Sequence, residues 1–159
     1  MSLQRYSVIT GSGSYIPERK ITNAYFAHHQ FYEQDGTPIL KSNDEIIRKF
    51  QAITGIEERR YVTDDLVASD IAFFAAQKAI ESAAIDKETL DYIIVAHNFG
   101  DIRADNLRSD MVPSLASRVK HHLEIHNSKT VAYDLPFGCA GWLQAMIQAN
   151  YFIKSGDAQ

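Results

Sequence analysis

The segment that most restricts the fold is a continuous apolar stretch near the middle of the chain. Residues 92–96 read Tyr-Ile-Ile-Val-Ala, with no alternation of polar and apolar side chains. Such a strand is typical of parallel sheets that helices cover on both faces. A second strand-like run follows at residues 130–135. Since parallel neighbours need a crossover connection, the sequence predicts a parallel α/β layer with right-handed connections.

Helices are predicted around these strands. Residues 43–53 begin with Asn-Asp-Glu, which suits a cap and an acidic first turn, and Gly55 ends that helix. Residues 70–84 confine their polar side chains to one narrow stripe, which predicts a mostly buried helix. A third helix is predicted over 112–123. A fourth, over 139–154, has so few polar side chains that we expect it to lie deep in the protein.

The N-terminal residues predict one further strand. Residues 6–10 are rich in β-branched side chains and lead into Gly11-Ser12-Gly13-Ser14, which is typical of a strand and a tight turn. A dinucleotide-binding turn is the weaker interpretation, because Ile16 stands where the third glycine would be. The predicted order is β, α, α, β, α, β, α. We expect one domain over residues 4–159, and we leave the first three residues out of the fold argument.

Charge and composition exclude some classes of function. The chain has 16 Lys and Arg against 20 Asp and Glu, for a formal net charge of -4. Nucleic-acid binders need clustered positive charge instead. No apolar run approaches the roughly 20 residues that span a bilayer. We therefore expect a soluble cytoplasmic protein without nucleic-acid or membrane partners.

The chain contains a single cysteine, Cys139, at the boundary between a predicted strand and a predicted helix. A thiolate at the first turn of a helix is stabilised by free backbone N–H groups and by the helix dipole. Gly138 and Gly141 would allow substrate and neighbouring elements to approach closely. The alternative is that Cys139 packs as a small apolar side chain. Its position alone leaves both interpretations open.

Four segments resemble the β-ketoacyl-ACP synthase III family of thiolase-like condensing enzymes, in order and spacing. They are Gly11-Ser12-Gly13-Ser14-Tyr15-Ile16-Pro17, Thr54-Gly55-Ile56-Glu57-Glu58-Arg59-Arg60, residues 69–84, and Asp134-Leu135-Pro136-Phe137-Gly138-Cys139-Ala140-Gly141-Trp142. The last is similar to the family's nucleophile segment. The resemblance implies the N-terminal half of the duplicated α-β-α-β-α core, a mostly parallel sheet with a buried nucleophile helix. It also identifies Cys139 as the catalytic nucleophile.

The resemblance implies a two-step acyltransferase reaction. An acyl group moves from a thioester carrier to Cys139, and a decarboxylated malonyl thioester then condenses with it, as in fatty-acid or polyketide synthesis. The Cys139 backbone N–H would donate one hydrogen bond to the oxyanion. The expected substrates are acyl-CoA or acyl-ACP and malonyl-ACP, and the expected partners are acyl carrier protein and a second copy paired through residues 130–135.

The resemblance also indicates what the chain lacks. The family's catalytic His and Asn belong to its C-terminal half, so no residue here inherits their roles. No cofactor or metal is expected, since His122 and His126 share a helix face without further ligands. Ile46 aligns with the aromatic residue that stacks on the coenzyme A adenine, which favours an ACP-bound primer. Asp101 and Asp105 are expected to be solvated loop carboxylates rather than neighbours of an acyl chain.

Two other functions stay open on the residues alone. A related thiolase-fold enzyme, such as a hydroxymethylglutaryl-CoA synthase or a chalcone-synthase-like protein, uses a similar cysteine on different substrates. An inactive half-molecule would expose apolar surface and self-associate.

Overall fold

The computed structural model describes residues 5–159, which form two compact units. The large unit contains the residues up to Tyr15 together with Asp64–Gln159, and the small unit is Ile16–Thr63. The expectation of one domain over residues 4–159 stays a prediction, and its first residue lies outside the described part.

The described residues contain six strands and four α-helices. In chain order they are β1 (Arg19–Thr22), α1 (Asn43–Thr54), β2 (Glu58–Tyr61), α2 (Ala68–Ala83), β3 (Tyr92–His97), β4 (Asp101–Arg103), β5 (Asn106–Asp110), α3 (Leu115–His122), β6 (Val131–Pro136) and α4 (Gly141–Ser155). Short 3₁₀ helices occupy Asn23–His28 and Lys87–Thr89. None of the helices within residues 5–159 is long and apolar enough to cross a membrane.

The predicted parallel pair forms the centre of the large unit. Strands β3 and β6 run parallel, in a register from Tyr92 opposite Val131 to His97 opposite Pro136. The buried core lies where α2 and α3 pack against this pair. It consists of Val119, Leu123 and Ile125 with partly buried neighbours such as Phe73 and Ile93. Both apolar runs of the sequence are therefore strands, and the fold class is confirmed.

The strand predicted at residues 6–10 is absent. This segment forms no ladder with any described strand, and its side chains are exposed, Val8 at 75%. The following glycines explain its course, since the backbone at Gly11 and Gly13 lies directly against α2. A Cβ atom at either glycine would collide with the α2 backbone near Ala79. The β-branched pattern predicted a strand, but no described strand pairs with these residues.

Helix α4 is less buried than the sequence predicted. One side packs on the parallel pair, where the Tyr133 hydroxyl donates to Gln148 Oε1 at 2.6 Å and the Tyr92 ring stacks on Phe152 at 4.3 Å. Away from these contacts, large apolar side chains of the helix are exposed within residues 5–159, among them Trp142 at 68% and Tyr151 at 64%. The sequence made α4 apolar all round, and the described residues cover one side of it.

The sequence missed four short strands. Strands β1 and β2 form an antiparallel pair in the small unit, and β4 and β5 form a hairpin where a polar loop was predicted. Charged residues make up much of these strands, so local strand preference is weak. Pairing therefore decides their structure, and for β1 and β2 the partner lies far along the chain.

Helix α1 of the small unit matches its prediction closely. Ser42 caps it by accepting from the Glu45 N–H, one residue before the predicted cap, and Gly55 ends it with a φ of +67°. Ile46, which the resemblance places opposite the family's stacking aromatic residue, is buried within this unit. The residue is 6% exposed.

Candidate active site around Cys139

Cys139 lies in the turn between β6 and α4, and it is exposed. Strand β6 ends at Pro136, and the Gly141 N–H donates to the Gly138 carbonyl at 2.8 Å, which closes the turn. The helix therefore begins two residues later than predicted, and Cys139 precedes its N-cap. The predicted change from strand to turn to helix is confirmed, and the exposure argues against a small buried side chain.

The end of β3 holds both ends of this turn. The Phe137 N–H donates to the His97 carbonyl at 2.9 Å. A Cβ atom on Gly141 would stand 3.1 Å from Ala96 Cβ and 3.2 Å from Phe137 Cβ, which is tighter than ordinary packing allows. By contrast, a Cβ atom on Gly138 would meet nothing within 4 Å. Close packing therefore explains the glycine at 141. The space around Gly138 is open.

The first turn of α4 has no side-chain cap. Its N-cap residue is Ala140, whose methyl group cannot accept a hydrogen bond. The first helical bond runs from the Gln144 N–H to the Ala140 carbonyl at 3.0 Å. The N–H groups of the preceding helical residues have no acceptor inside the helix, as in any first turn. Among the described residues, no acceptor binds the Cys139 N–H either. The thiol therefore lies beside an open helix N-terminus.

The first turn of α3 is closed by a carboxylate. Asp134 of β6 accepts from the Leu115 N–H at 2.7 Å and the Ala116 N–H at 2.8 Å. Ser114 Oγ accepts from the Ser117 N–H at 3.1 Å. The sequence drew attention to Asp134 only as the first residue of the nucleophile segment. Its role at α3 depends on packing that no local pattern reveals.

His97 completes this group of contacts. Its side chain is 7% exposed, and its Nε2 lies 3.0 Å from Asp134 Oδ2. Its Nδ1 accepts from the Gly100 N–H at 2.9 Å, so these bonds assign the neutral tautomer with the proton on Nε2. Both ring nitrogens are occupied, and no hydrogen bond within residues 5–159 joins His97 to Cys139. His97 is therefore not placed as the general base of a Cys-His-Asp triad.

The sequence of the chain is similar to known proteins of one kind. No protein-family profile matches the chain. The β-ketoacyl-[acyl-carrier-protein] synthase III of Xanthomonas campestris pv. campestris (strain 8004) is 35% identical over all 159 residues. The synthase III 1 of Vibrio cholerae serotype O1 is 38% identical over 151 residues, or 95% of this chain. The chain is therefore similar, over its whole length, to β-ketoacyl-ACP synthase III proteins. It spans about two fifths of the length of these relatives, 42% and 40%.

Solved structures agree with the fold. The β-ketoacyl-[acyl carrier protein] synthase III of Thermus thermophilus superposes with a TM-score of 0.69 at 31% identity, over 96% of this chain and 40% of the other. The priming β-ketosynthase of the R1128 polyketide pathway superposes over the whole chain and 41% of its own, with a TM-score of 0.75 at 23% identity. The thiolase-like fold class is therefore shown.

Asp101 differs from its prediction. It is 2% exposed, so it is not a solvated carboxylate. It accepts from the Ser69 N–H at 2.8 Å, the Ser69 hydroxyl at 2.6 Å and Arg118 Nη1 at 2.7 Å. Arg118 Nη2 also binds Asp110 at 2.7 Å. This network fastens the β4–β5 hairpin to α2 and α3.

The remaining candidate ligands do not converge. Asp105 is exposed, as predicted, and so are His122 and His126. His122 Nε2 lies 3.9 Å from Asp70 Oδ1. Within the part of the chain that the structure describes, no three His, Cys, Asp or Glu side chains come together in a way that could hold a metal ion.

Proposed function

We propose that this chain supplies the nucleophile half of a β-ketoacyl-ACP synthase III-type acyltransferase, with Cys139 as the residue that carries the acyl group. The observation that supports it best is the exposed Cys139 thiol between the end of a parallel strand and an uncapped helix. Ligands of open α/β sheets bind at the carboxyl ends of the strands, which is where this turn lies. The family supports the same assignment.

The first step transfers an acyl group to the thiol. The Cys139 thiolate attacks the carbonyl carbon of an acyl-CoA or acyl-ACP, and a C–S bond forms. The tetrahedral oxyanion receives a hydrogen bond from the Cys139 N–H, which has no acceptor among the described residues. The bond to the carrier sulfur then breaks, and the carrier leaves as its thiol after taking up a proton. The product is an acyl-Cys139 thioester.

The second step forms a carbon–carbon bond. Malonyl-ACP loses its free carboxylate as carbon dioxide, and the electron pair left on carbon attacks the acyl carbonyl. Cys139 leaves as thiolate, and the β-ketoacyl product stays on the carrier. The family's His and Asn, which assist this step, belong to the part of the family's chain beyond the two fifths matched here. The condensation is therefore proposed for the whole enzyme.

The proposed partners follow from the same reaction. Acyl carrier protein delivers malonate, and we place the enzyme in the cytoplasm, where a single thiol stays reduced. A second copy of the chain is proposed to pair with β6, since within residues 5–159 this strand has β3 on one edge and no strand on the other. No cofactor is part of the proposal, because the thioesters themselves carry the reactive groups.

Intact mass spectrometry tests the proposed nucleophile. The purified chain and its Cys139→Ala variant are incubated with acetyl, octanoyl and aryl thioesters of coenzyme A and acyl carrier protein. We expect the wild type to gain one acyl mass and the variant to gain none, because the chain has one cysteine. The preferred adduct identifies the primer class.

Alkylation by iodoacetamide is the control for an available thiol. An acyl mass that persists in Cys139→Ala would contradict Cys139 as the acceptor. A wild type that iodoacetamide alkylates and no thioester acylates would show that this chain lacks acyl transfer on its own.

A further inference from the structure

We infer that His97 is a positioning residue for the Cys139 turn, and that it acts through its hydrogen bond to Asp134. This inference rests on the proposed function, because it concerns the geometry of the proposed nucleophile. His97 touches neither the thiol nor the acyl group in this role. It fixes the surfaces against which the turn is built.

The two ring nitrogens of His97 join separate parts of the large unit. Nε2 donates to Asp134, which closes the first turn of α3, and Nδ1 accepts from the Gly100 N–H at the start of the β4–β5 hairpin. The ring is 7% exposed and the Asp134 carboxylate 9%. A buried polar group without a partner is costly, so these bonds hold the ring in one orientation.

The main chain of the same segment contacts the turn directly. The His97 carbonyl accepts from the Phe137 N–H, two residues before Cys139, and Ala96 packs against Gly141, two residues after it. His97 also stands opposite Pro136, the last residue of β6. A displacement of residue 97 therefore moves both supports of the Cys139 turn.

The hydrogen bonds of the imidazole ring distinguish a positioning role for His97 from a role that only fills space. A side chain that only fills space needs no partner on either nitrogen. His97 has a donor and an acceptor at different distances from the backbone, and both are used. Glutamine carries its amide at about the place of Nε2, whereas asparagine carries its amide at about the place of Nδ1. The two amides therefore keep different halves of the histidine's contacts.

The test compares His97→Gln with His97→Asn in the full chain. Gln keeps a donor for Asp134, and Asn keeps an acceptor for the Gly100 N–H. The readout is the rate of Cys139 alkylation by iodoacetamide at fixed pH, followed by intact mass. We expect His97→Gln to stay within about twofold of the wild type and His97→Asn to be about fivefold slower, the size of one lost interaction with a helix terminus.

The difference between the two variants carries the result. It supports the inference when their melting temperatures agree within about 3 °C, because equal stability removes a general loss of structure as the cause. Equal alkylation rates, or a slower rate in His97→Gln than in His97→Asn, would overturn it. In the second case the bond to the hairpin, and not the bond to Asp134, would set the turn.

A measurement on the wild type decides if either variant fails to fold or if the melting temperatures differ. The ¹⁵N NMR shifts of the His97 ring report its tautomer. A proton on Nε2 with a bare Nδ1 supports the inference, and the opposite tautomer overturns it, since Nδ1–H cannot accept from Gly100.

Acylation separates this inference from the proposed function. Alkylation of Cys139 that depends on His97, in a chain that takes no acyl group, would support the positioning role and contradict acyl transfer by this chain. Acylation of the wild type, with equal alkylation in both variants, would contradict only the role of His97.

Discussion

Two helices of the large unit, α3 and α4, begin with first turns of opposite character. At α3, a serine hydroxyl and the Asp134 carboxylate accept from the N–H groups of three residues, Leu115, Ala116 and Ser117. At α4, the N-cap is an alanine that accepts nothing through its side chain. Asp134 and Ala140 lie six residues apart in the chain, so one segment closes the first helix and leaves the second open.

The capped first turn of α3 contributes to stability, whereas the uncapped first turn of α4 lies at the proposed reaction site. A filled first turn stabilises a helix, and nearly every local rule favours Ser, Thr, Asp or Asn at the cap. Proteins break such rules at functional sites. The open turn of α4 follows the exposed Cys139, and the N–H groups of Trp142 and Leu143 have no acceptor among the described residues, so they can stabilise negative charge there. The closed turn of α3 supplies the rigid support.

The largest expected effect comes from removing the carboxylate that accepts from the first turn of α3. Asp134→Ala removes the acceptor of two N–H groups and the partner of His97, all at a mostly buried site. We expect the free energy of unfolding to fall by about 3 to 4 kcal/mol, measured by urea denaturation. Asp134→Asn keeps one acceptor oxygen and should lose about half as much. Equal losses in the two variants would contradict this account of the closed turn.

A smaller effect is expected from closing α4. Ala140→Ser adds an acceptor at the N-cap and should raise the free energy of unfolding by about 0.5 to 1 kcal/mol. It should also slow the reaction of Cys139, because the new hydroxyl occupies an N–H group of the first turn. Ala140→Gly is the matched control, since glycine is a good N-cap residue without a side-chain acceptor. Ser at 140 with an unchanged alkylation rate would show that the open turn does not assist the thiol.

The turn itself offers a pair of glycine replacements. Gly141→Ala places a Cβ atom 3.1 Å from Ala96 Cβ, so we expect a loss of about 1 to 2 kcal/mol in thermal or urea unfolding. Gly138→Ala meets nothing within 4 Å and should stay within about 0.5 kcal/mol of the wild type. A larger loss at 138 than at 141 would mean that the main chain of the turn, and not its packing on β3, limits the choice of residue.

The smallest effect concerns the hairpin bound to α3. The hydrogen bond from Arg118 lowers the pKa of Asp110 below its ordinary value. A carboxyl group whose pKa is lower in the folded state adds stability above its unfolded pKa of about 3.9, and this stability is lost as the pH falls through the folded pKa. Between about pH 5 and pH 3, the wild type should therefore lose more stability than Asp110→Asn. Parallel curves of melting temperature against pH would show that this exposed pair adds nothing measurable.

The sequence predicted the parts of the fold that local pattern decides. The apolar runs gave β3 and β6, the polar stripe gave α2, and Gly55 gave the end of α1. Residues 6–10 look like a strand in composition, but a strand also needs a neighbour. Strands β4 and β5 look like a loop, and the buried carboxylate of Asp101 fastens them.

In the site, too, the sequence predicted the features that local pattern decides and missed the long-range contacts. Cys139 could be predicted because a strand, a glycine turn and a helix follow one another along the chain. The bonds among Asp134, His97 and the first turn of α3 join residues 18 to 37 positions apart. No period or motif of the sequence encodes that distance. The sequence shows an alanine at position 140. That this alanine is the N-cap of α4 follows only from the structure, which shows where the helix begins.

An exposed tryptophan in α4 provides a fluorescent probe of the site. Trp142 is the single tryptophan of the chain, it is 68% exposed, and it stands three residues from Cys139. Indole emission shifts with the polarity of its surroundings, so the whole tryptophan signal reports on one surface beside the thiol. Any molecule that covers this surface, whether carrier protein, second chain or substrate, will change the fluorescence without a label attached.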